Sequence, residues 1–274
     1  MINKLPEIYE DEMVYSWFCR YLTYSGLWTE KEVANELFVN NNDPLSKLFI
    51  GNINDDVRKC IKSIIPIKRL FMDHTMFYAH TGYCSSEYKE SFYKNLMKEP
   101  RITEMRMKRR IVENNRLKYC PLCIKEDRRK YGETYWHRIH QLRELPICPK
   151  HKCKLFDTNV EYFDTNLSQR VIKRVKPIEI FKLTKSIVYE NDHLLNEIVE
   201  YTKDRFFEQD IDSININYKL LLKENPDIRK EIIHFYKNSK IQFDYYTFRR
   251  AVDDDKKNFF TMSAIYYYLE SHSS

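Results

Sequence analysis

Two pairs of metal-donor residues share one spacing in this chain: Cys120-Pro-Leu-Cys123 and Cys148-Pro-Lys-His151. A gap of two residues folds each pair into a tight loop, so that both donor atoms approach one ion at about 2.0–2.3 Å. Two such loops together complete a tetrahedron. The chain must then turn back on itself within the 24 residues that separate Cys123 from Cys148. That is more than the roughly 12–20 residues of common zinc fingers, and it leaves room for a small hairpin or a helix.

Three sulfurs and one imidazole suit a zinc ion, so the expectation is one structural Zn²⁺ on Cys120, Cys123, Cys148 and His151. Cys153 competes with Cys148, and His137 or His140 with His151, but each exchange breaks the repeated gap. Four protein donors leave no open position for water. No Glu stands in a His-Glu-x-x-His arrangement to act as a base, so the expected role of the metal is structural and not catalytic. Seven cysteines are an odd number and only four lie close together in sequence, which argues against a disulfide framework and for a reducing compartment.

Gly occurs only 4 times in 274 residues, too rarely for many tight β-turns or a phosphate-cradling loop. A hydrophobic share of 43% with 15% aromatic residues belongs to a globular chain. The expected fold is mainly α, with a helical N-terminal region (1–100), a central zinc domain with a basic face (101–160) and a helical C-terminal region (161–274). Glu10–Gly26 reads as a first helix with acids in its first turn, ended by Gly26. Thr29–Phe38 opens like a second, with Thr29 as cap and Glu32 three residues on. The two admit a helix-turn-helix; an ordinary helical hairpin is the plainer reading.

Asn40–Pro44 reads as a turn and Asp55–Ile65 as a short helix. His74 and His80, in an apolar aromatic stretch, read as core histidines. Asp192–Phe207 carries an apolar stripe, Pro226 divides the region Tyr218–Tyr236 into two helices, and Thr261 or Ser263 caps a last one. The N-terminal sequence lacks the basic and apolar regions of a secretory signal, and no stretch reaches the ~18 apolar residues of a membrane span. A cytoplasmic protein without membrane association is expected.

Charge is concentrated near the metal motif. Residues 101–155 hold 16 Lys/Arg against 6 Asp/Glu, a net +10, so the rest of a chain of net charge +6 carries −4. Arg106, Lys108, Arg109, Arg110, Arg116, Lys118, Arg128 and Arg129 form the candidate phosphate-neutralising surface. Between the pairs, Tyr135, Trp136, Ile139 and Leu142 recur at helical spacing and suggest a helix packed on the metal loops, with Arg138 on its far side and His140 bonded to nearby backbone. Asp253-Asp-Asp255, an acidic triplet, could serve a nuclease, but it follows Arg249-Arg250 and reads as a solvated turn.

The residues around the cysteines resemble a known signature. Cys120-Pro-Leu-Cys123, Asp127, Gly132, Tyr135-Trp136, Arg138, His140-Gln141-Leu142 and Cys148-Pro-Lys-His151 are similar to the zinc-binding motif of the TnsD/TniQ family of transposon target-selection proteins. Leu5-Pro6, Asp11-Glu12, Ser16-Trp17, Arg20 and Ser25-Gly26 look like its opening helix, and Asp73-His74-Thr75 like its His-Thr element. Agreement spans residues 5–155 and is loose beyond them.

The resemblance implies a target-selection adaptor and not a recombinase or other enzyme. Such proteins bind target DNA, or dock on an RNA-guided CRISPR effector complex, and recruit an AAA+ ATPase regulator of the TnsC type that brings in the transposase. Self-association is compatible with this role. Carried over by motif, Cys120, Cys123, Cys148 and His151 hold the zinc, and Tyr135, Trp136, His140 and Gln141 support it. Some relatives have a second zinc loop; no cysteine follows Cys153 here. Direct DNA readers in the family are longer, with further C-terminal helices, so this length suits a short adaptor or a truncated reader.

Overall fold

In the computed structural model, which describes residues 4–26, 30–39, 48–100, 103, 116–161, 186–189, 191–208, 215–239, 241, 246, 248 and 259–272, helices dominate. They are α1 (Val14–Tyr24), α2 (Glu30–Leu37), α3 (Asp55–Ile64), α4 (Ile67–His74), α5 (Phe77–Thr81), α6 (Ser86–Lys98), α7 (Pro121–Tyr131), α8 (His193–Glu208), α9 (Asn215–Glu224), α10 (Pro226–Tyr236) and α11 (Phe259–His272). Strands β1 (Arg116–Tyr119) and β2 (Phe156–Glu161) pair antiparallel, with Lys118 opposite Asp157 and Tyr119 opposite Phe156. The fold is mainly α, as the low glycine content implies.

Local signals set several helix ends. Asn54 accepts a hydrogen bond from the Val57 amide at 2.9 Å, and Asp55 and Asp56 in the first turn of α3 face the positive end of its dipole. Pro226 opens α10 at the first helical position, where its missing N–H costs nothing. The first helix departs from expectation. It starts at Val14, because Asp11 adopts a left-handed φ of 55° and Glu12 is drawn into the interior. Those acids anchor tertiary contacts instead of facing a helix dipole.

The C-terminal cap is also corrected. Thr261 and Ser263 lie inside α11, where Thr261 donates to Glu144 Oε2 at 2.9 Å and Ser263 bonds the Phe259 carbonyl at 3.0 Å. Thr29, the turn at 40–44 and Asp253–Asp255 fall outside the described residues. So do Arg106, Lys108, Arg109 and Arg110.

The described residues cluster into two compact units. One draws on Met1–Phe77, Lys94–Gln141 and Phe156–Lys185, the other on Tyr78–Tyr93, Leu142–Leu155 and Ser186–Ser274. The first has its core in Trp17, Phe18, Tyr21, Leu70, Leu117, Ile124 and Trp136. The core of the second forms where α8 packs on α11: Phe206, Tyr78 and Tyr83 surround Phe259, with ring centroids 4.9–5.7 Å apart. α11 is buried almost all round, as a helix apolar on every side must be. Its one acid, Glu270, pairs with Arg205 at 3.1 Å and accepts from Tyr201 at 2.9 Å.

Gly82 is fixed by this core. A Cβ there would run into the Phe259 ring and sit 2.9 Å from the Tyr78 carbonyl oxygen. We expect Gly82→Ala to lower stability by about 1–3 kcal/mol, the cost of overpacking a filled core. Chemical denaturation checks this; an unchanged midpoint would mean that Phe259 can move.

Candidate metal centre

The first donor pair straddles the start of α7. Cys120 is the N-cap in extended conformation, Pro121 follows at the first helical position, and Cys123 lies in the first turn. Both sulfurs therefore sit at the positive end of a helix, which favours negative charge. Gly132 ends α7 in the left-handed region at φ 77°, its amide bonded to the Arg128 carbonyl at 3.1 Å.

The second pair is held by a tight reversal. Ile147 bridges Lys154, the Cys148 amide donates to the Cys153 carbonyl at 2.7 Å, and the Lys152 amide to the Cys148 carbonyl at 2.8 Å. Lys152 takes a left-handed φ of 48° to close it.

Cys120, Cys123, Cys148 and His151 bring their ligand atoms within 4.8 Å of one another, the three cysteines buried and the histidine partly exposed. Two donors on one tetrahedral zinc lie about 3.5–3.8 Å apart, and Cys148 Sγ stands 3.8 Å from His151 Nδ1. The set could hold a metal ion, and three thiolates with one imidazole fit a borderline-soft divalent cation. Two of the competitors have other partners: His137 Nε2 is bonded to Asp127 at 2.9 Å, and the Cys153 thiol donates to the Lys154 carbonyl at 3.6 Å.

The filling between the pairs is not a helix on the metal loops. The helix is α7, upstream; residues 133–138 are irregular, with bends at Glu133 and Arg138, and lead into a single 3₁₀ turn, Ile139–Gln141. Tertiary partners override the helical spacing. Glu12 bridges His137 in antiparallel fashion, the Met13 amide donates to the Trp136 carbonyl at 3.0 Å, the Arg138 amide to the Asp11 carbonyl at 2.8 Å, and the Trp136 amide to Ser16 Oγ at 3.1 Å. The N-terminal strap thus pairs with the segment that leads from the first knuckle.

Arg138, expected on the far side of a helix from the metal loops, is 1% exposed. Its guanidinium pairs with Asp11 at 3.2 Å and donates to the Met72 carbonyl; burial pulls it below the usual arginine range, against Asp11. Arg20 forms a second buried centre, 2.8 Å from Glu12 and 2.8 Å from Glu133, with its guanidinium over the Tyr9 ring. Burial alone would lower Arg20, but the Glu12 and Glu133 charges raise it. Burial pushes Glu12 up to about 7 in spite of Arg20. His74 Nδ1 meets the Glu12 carbonyl at 2.8 Å, a core role as expected.

Asp11, Glu12, Arg20, Glu133 and Arg138 are the residues whose function pattern reading missed. One signal was available: an acidic pair, Asp11-Glu12, just ahead of an apolar helix with a lone Arg20 inside it. The four supporting residues are all buried. Gln141 clasps the backbone of Lys118 from both sides, accepting from its N–H at 2.9 Å and donating to its carbonyl at 2.8 Å. The Nε2 of His140 lies 3.7 Å from Cys123 Sγ. The Tyr135 ring is tilted by 31° against His137, centroids 4.2 Å apart, and its hydroxyl is pushed up by burial; Trp136 is buried. Among the predicted basic residues, Arg116, Arg128 and Arg129 are exposed and Lys118 half-buried.

Fold and site together define a mainly helical protein that carries a Cys3His group and whose N-terminal strap pairs with Trp136–Arg138. The sequence model of the TniQ family matches residues 5–155, more than half of the chain, and the chain belongs to that family. It is similar to the Transposon Tn7 transposition protein TnsD of Escherichia coli, 24% identical over 160 residues, 57% of this chain. The aligned region covers 32% of that relative. No described helix is long and apolar enough to cross a membrane.

Proposed function

We propose that this chain is a target-selection adaptor of a multi-component transposon, in which a structural zinc ion on Cys120, Cys123, Cys148 and His151 shapes a surface that contacts target DNA. The observation that carries the reading is the family match over residues 5–155, which encloses both the Cys3His group and the strap that pairs with Trp136–Ile139. The adaptor binds DNA and recruits an AAA+ ATPase of the TnsC type; it performs no chemistry itself.

α7 supports the DNA role. Lys125, Arg128 and Arg129 stand on one exposed face, opposite the buried Cys123, Ile124 and Asp127. Arg116 is exposed on β1 just before the knuckle, and Arg106, Lys108, Arg109, Arg110 and Lys118 are proposed to extend the surface. Phosphate neutralisation by such a face releases counterions and makes binding salt-dependent.

The experiment is a salt titration of duplex DNA binding by the purified chain. Replacing Arg128 and Arg129 with Glu is expected to reduce the log–log salt slope by about 2 and to weaken binding at least tenfold, since each lost phosphate contact contributes about 0.9 to the slope. Zinc content should stay unchanged. No salt-dependent DNA binding by the unaltered chain would overturn the DNA role and favour docking on an RNA-guided CRISPR effector complex, where base pairing reads the sequence.

A further inference from the structure

We propose that His140 is a positioning residue for the metal knuckle: from outside the four-donor set, its Nε2–H donates to the Cys123 thiolate and holds that sulfur's charge in place. The inference rests on the zinc reading above and gives a role to a side chain that does not ligate.

His140 is 2% exposed and its Nε2 lies 3.7 Å from Cys123 Sγ. A metal-bound thiolate has lone pairs and no proton, so it can only accept, and the imidazole must present N–H to it. The residues on either side of His140 in the chain are fixed. Ile139 N–H donates to Asp11 Oδ2 at 3.1 Å, and Gln141 grips the Lys118 backbone and the His137 carbonyl. His137, whose ring lies 4.8 Å from that of His140, is itself fixed by Asp127 at 2.9 Å, and Thr134 donates to the same carboxylate oxygen at 2.9 Å.

Charge gives the contact its purpose. Three thiolates around a divalent ion leave one net negative charge, and all three cysteines are buried. A buried charge requires hydrogen-bond donors, and a bond to an ionised acceptor is stronger than one between neutral groups. The four ligand atoms form a complete set that does not include His140. A donor in its position therefore stabilises the set without joining it. Loss of such outer partners weakens metal binding by about 10–100-fold in well-studied sites.

The test uses the full chain loaded with zinc or cobalt(II), with His140→Phe and His140→Gln. We expect one metal ion per chain in each. His140→Phe should release zinc to a competing chelator about tenfold faster. Its sulfur-to-cobalt charge-transfer band should move to longer wavelength, because a sulfur without its N–H donor gives up an electron more easily. His140→Gln, whose amide can donate, should recover part of both changes.

A His140→Phe protein with unaltered release and an unmoved band overturns the inference. So does one that stays folded but holds no metal, since His140 would then be a ligand. Should that variant not fold, a cadmium-113-substituted unaltered chain decides: coupling between the metal and the His140 Nε2 proton supports the contact, and its absence refutes it. An unaltered chain that binds no zinc overturns the zinc reading itself.

Discussion

Cys148→Ser is expected to abolish zinc binding and unfold the centre of the chain. Metal removal by a strong chelator should do the same to the unaltered protein. Structural zinc sites contribute on the order of 10–16 kcal/mol of apparent binding energy at neutral pH, and a whole domain is stable by only about 5–15 kcal/mol. The two quantities are of one size, so a chain without its ion has little left to hold the knuckle. Cys148 Sγ belongs to a donor group compact within 4.8 Å, and serine offers a poor, protonated oxygen in its place. Elemental analysis with circular dichroism checks both halves of the prediction. Cys153→Ser is the control. Its thiol already donates to the Lys154 carbonyl, so zinc should remain at one per chain; the reverse pattern would make Cys153 the ligand.

Arg20→Leu carries the second large effect. Arg20 is 3% exposed and lies between Glu12 and Glu133, 2.8 Å from each. Removing it leaves Glu12, 0% exposed, without its counter-charge. Breaking one side of a buried ion pair costs about 3–5 kcal/mol, mostly as the desolvation of the orphaned charge. Glu12→Gln should cost much less, because burial already works against the Glu12 charge and an amide oxygen can still accept from the Tyr9 N–H, 3.0 Å away. Urea denaturation of the two variants gives the comparison. Equal losses would mean that packing, not charge, holds the strap.

The parts of the fold legible in the sequence were those whose cause is local. The turn at Asn225-Pro226 and the cap at Asn54 depend on residues within a few positions, and each cysteine pair announces itself by a two-residue gap. α7 could also have been read: Pro121 opens it, Gly132 closes it, and Arg128, Arg129 and Lys130 fill its last turn. The helical spacing of Tyr135, Trp136, Ile139 and Leu142 obscured that signal. Three of them, Tyr135, Trp136 and Ile139, meet the strap, which lies more than a hundred residues earlier in the chain. Asp11 was legible as an acid near a helix start. That it would turn left-handed to meet Arg138, 127 residues away, was not. No local pattern encodes a partner at that distance.

The same distance governs how the chain is made. Arg20 emerges from the ribosome 113 residues before Glu133, an interval of roughly 6–23 s at elongation rates of about 5–20 residues per second. Throughout it, Ser16 has no Trp136 amide, Asp11 no Arg138 and Arg20 only one of its two carboxylates. The first helix is therefore synthesised early and completed late. Its polar residues, spaced through an otherwise apolar surface, keep the nascent segment hydrated until the second half of its binding partner has been translated.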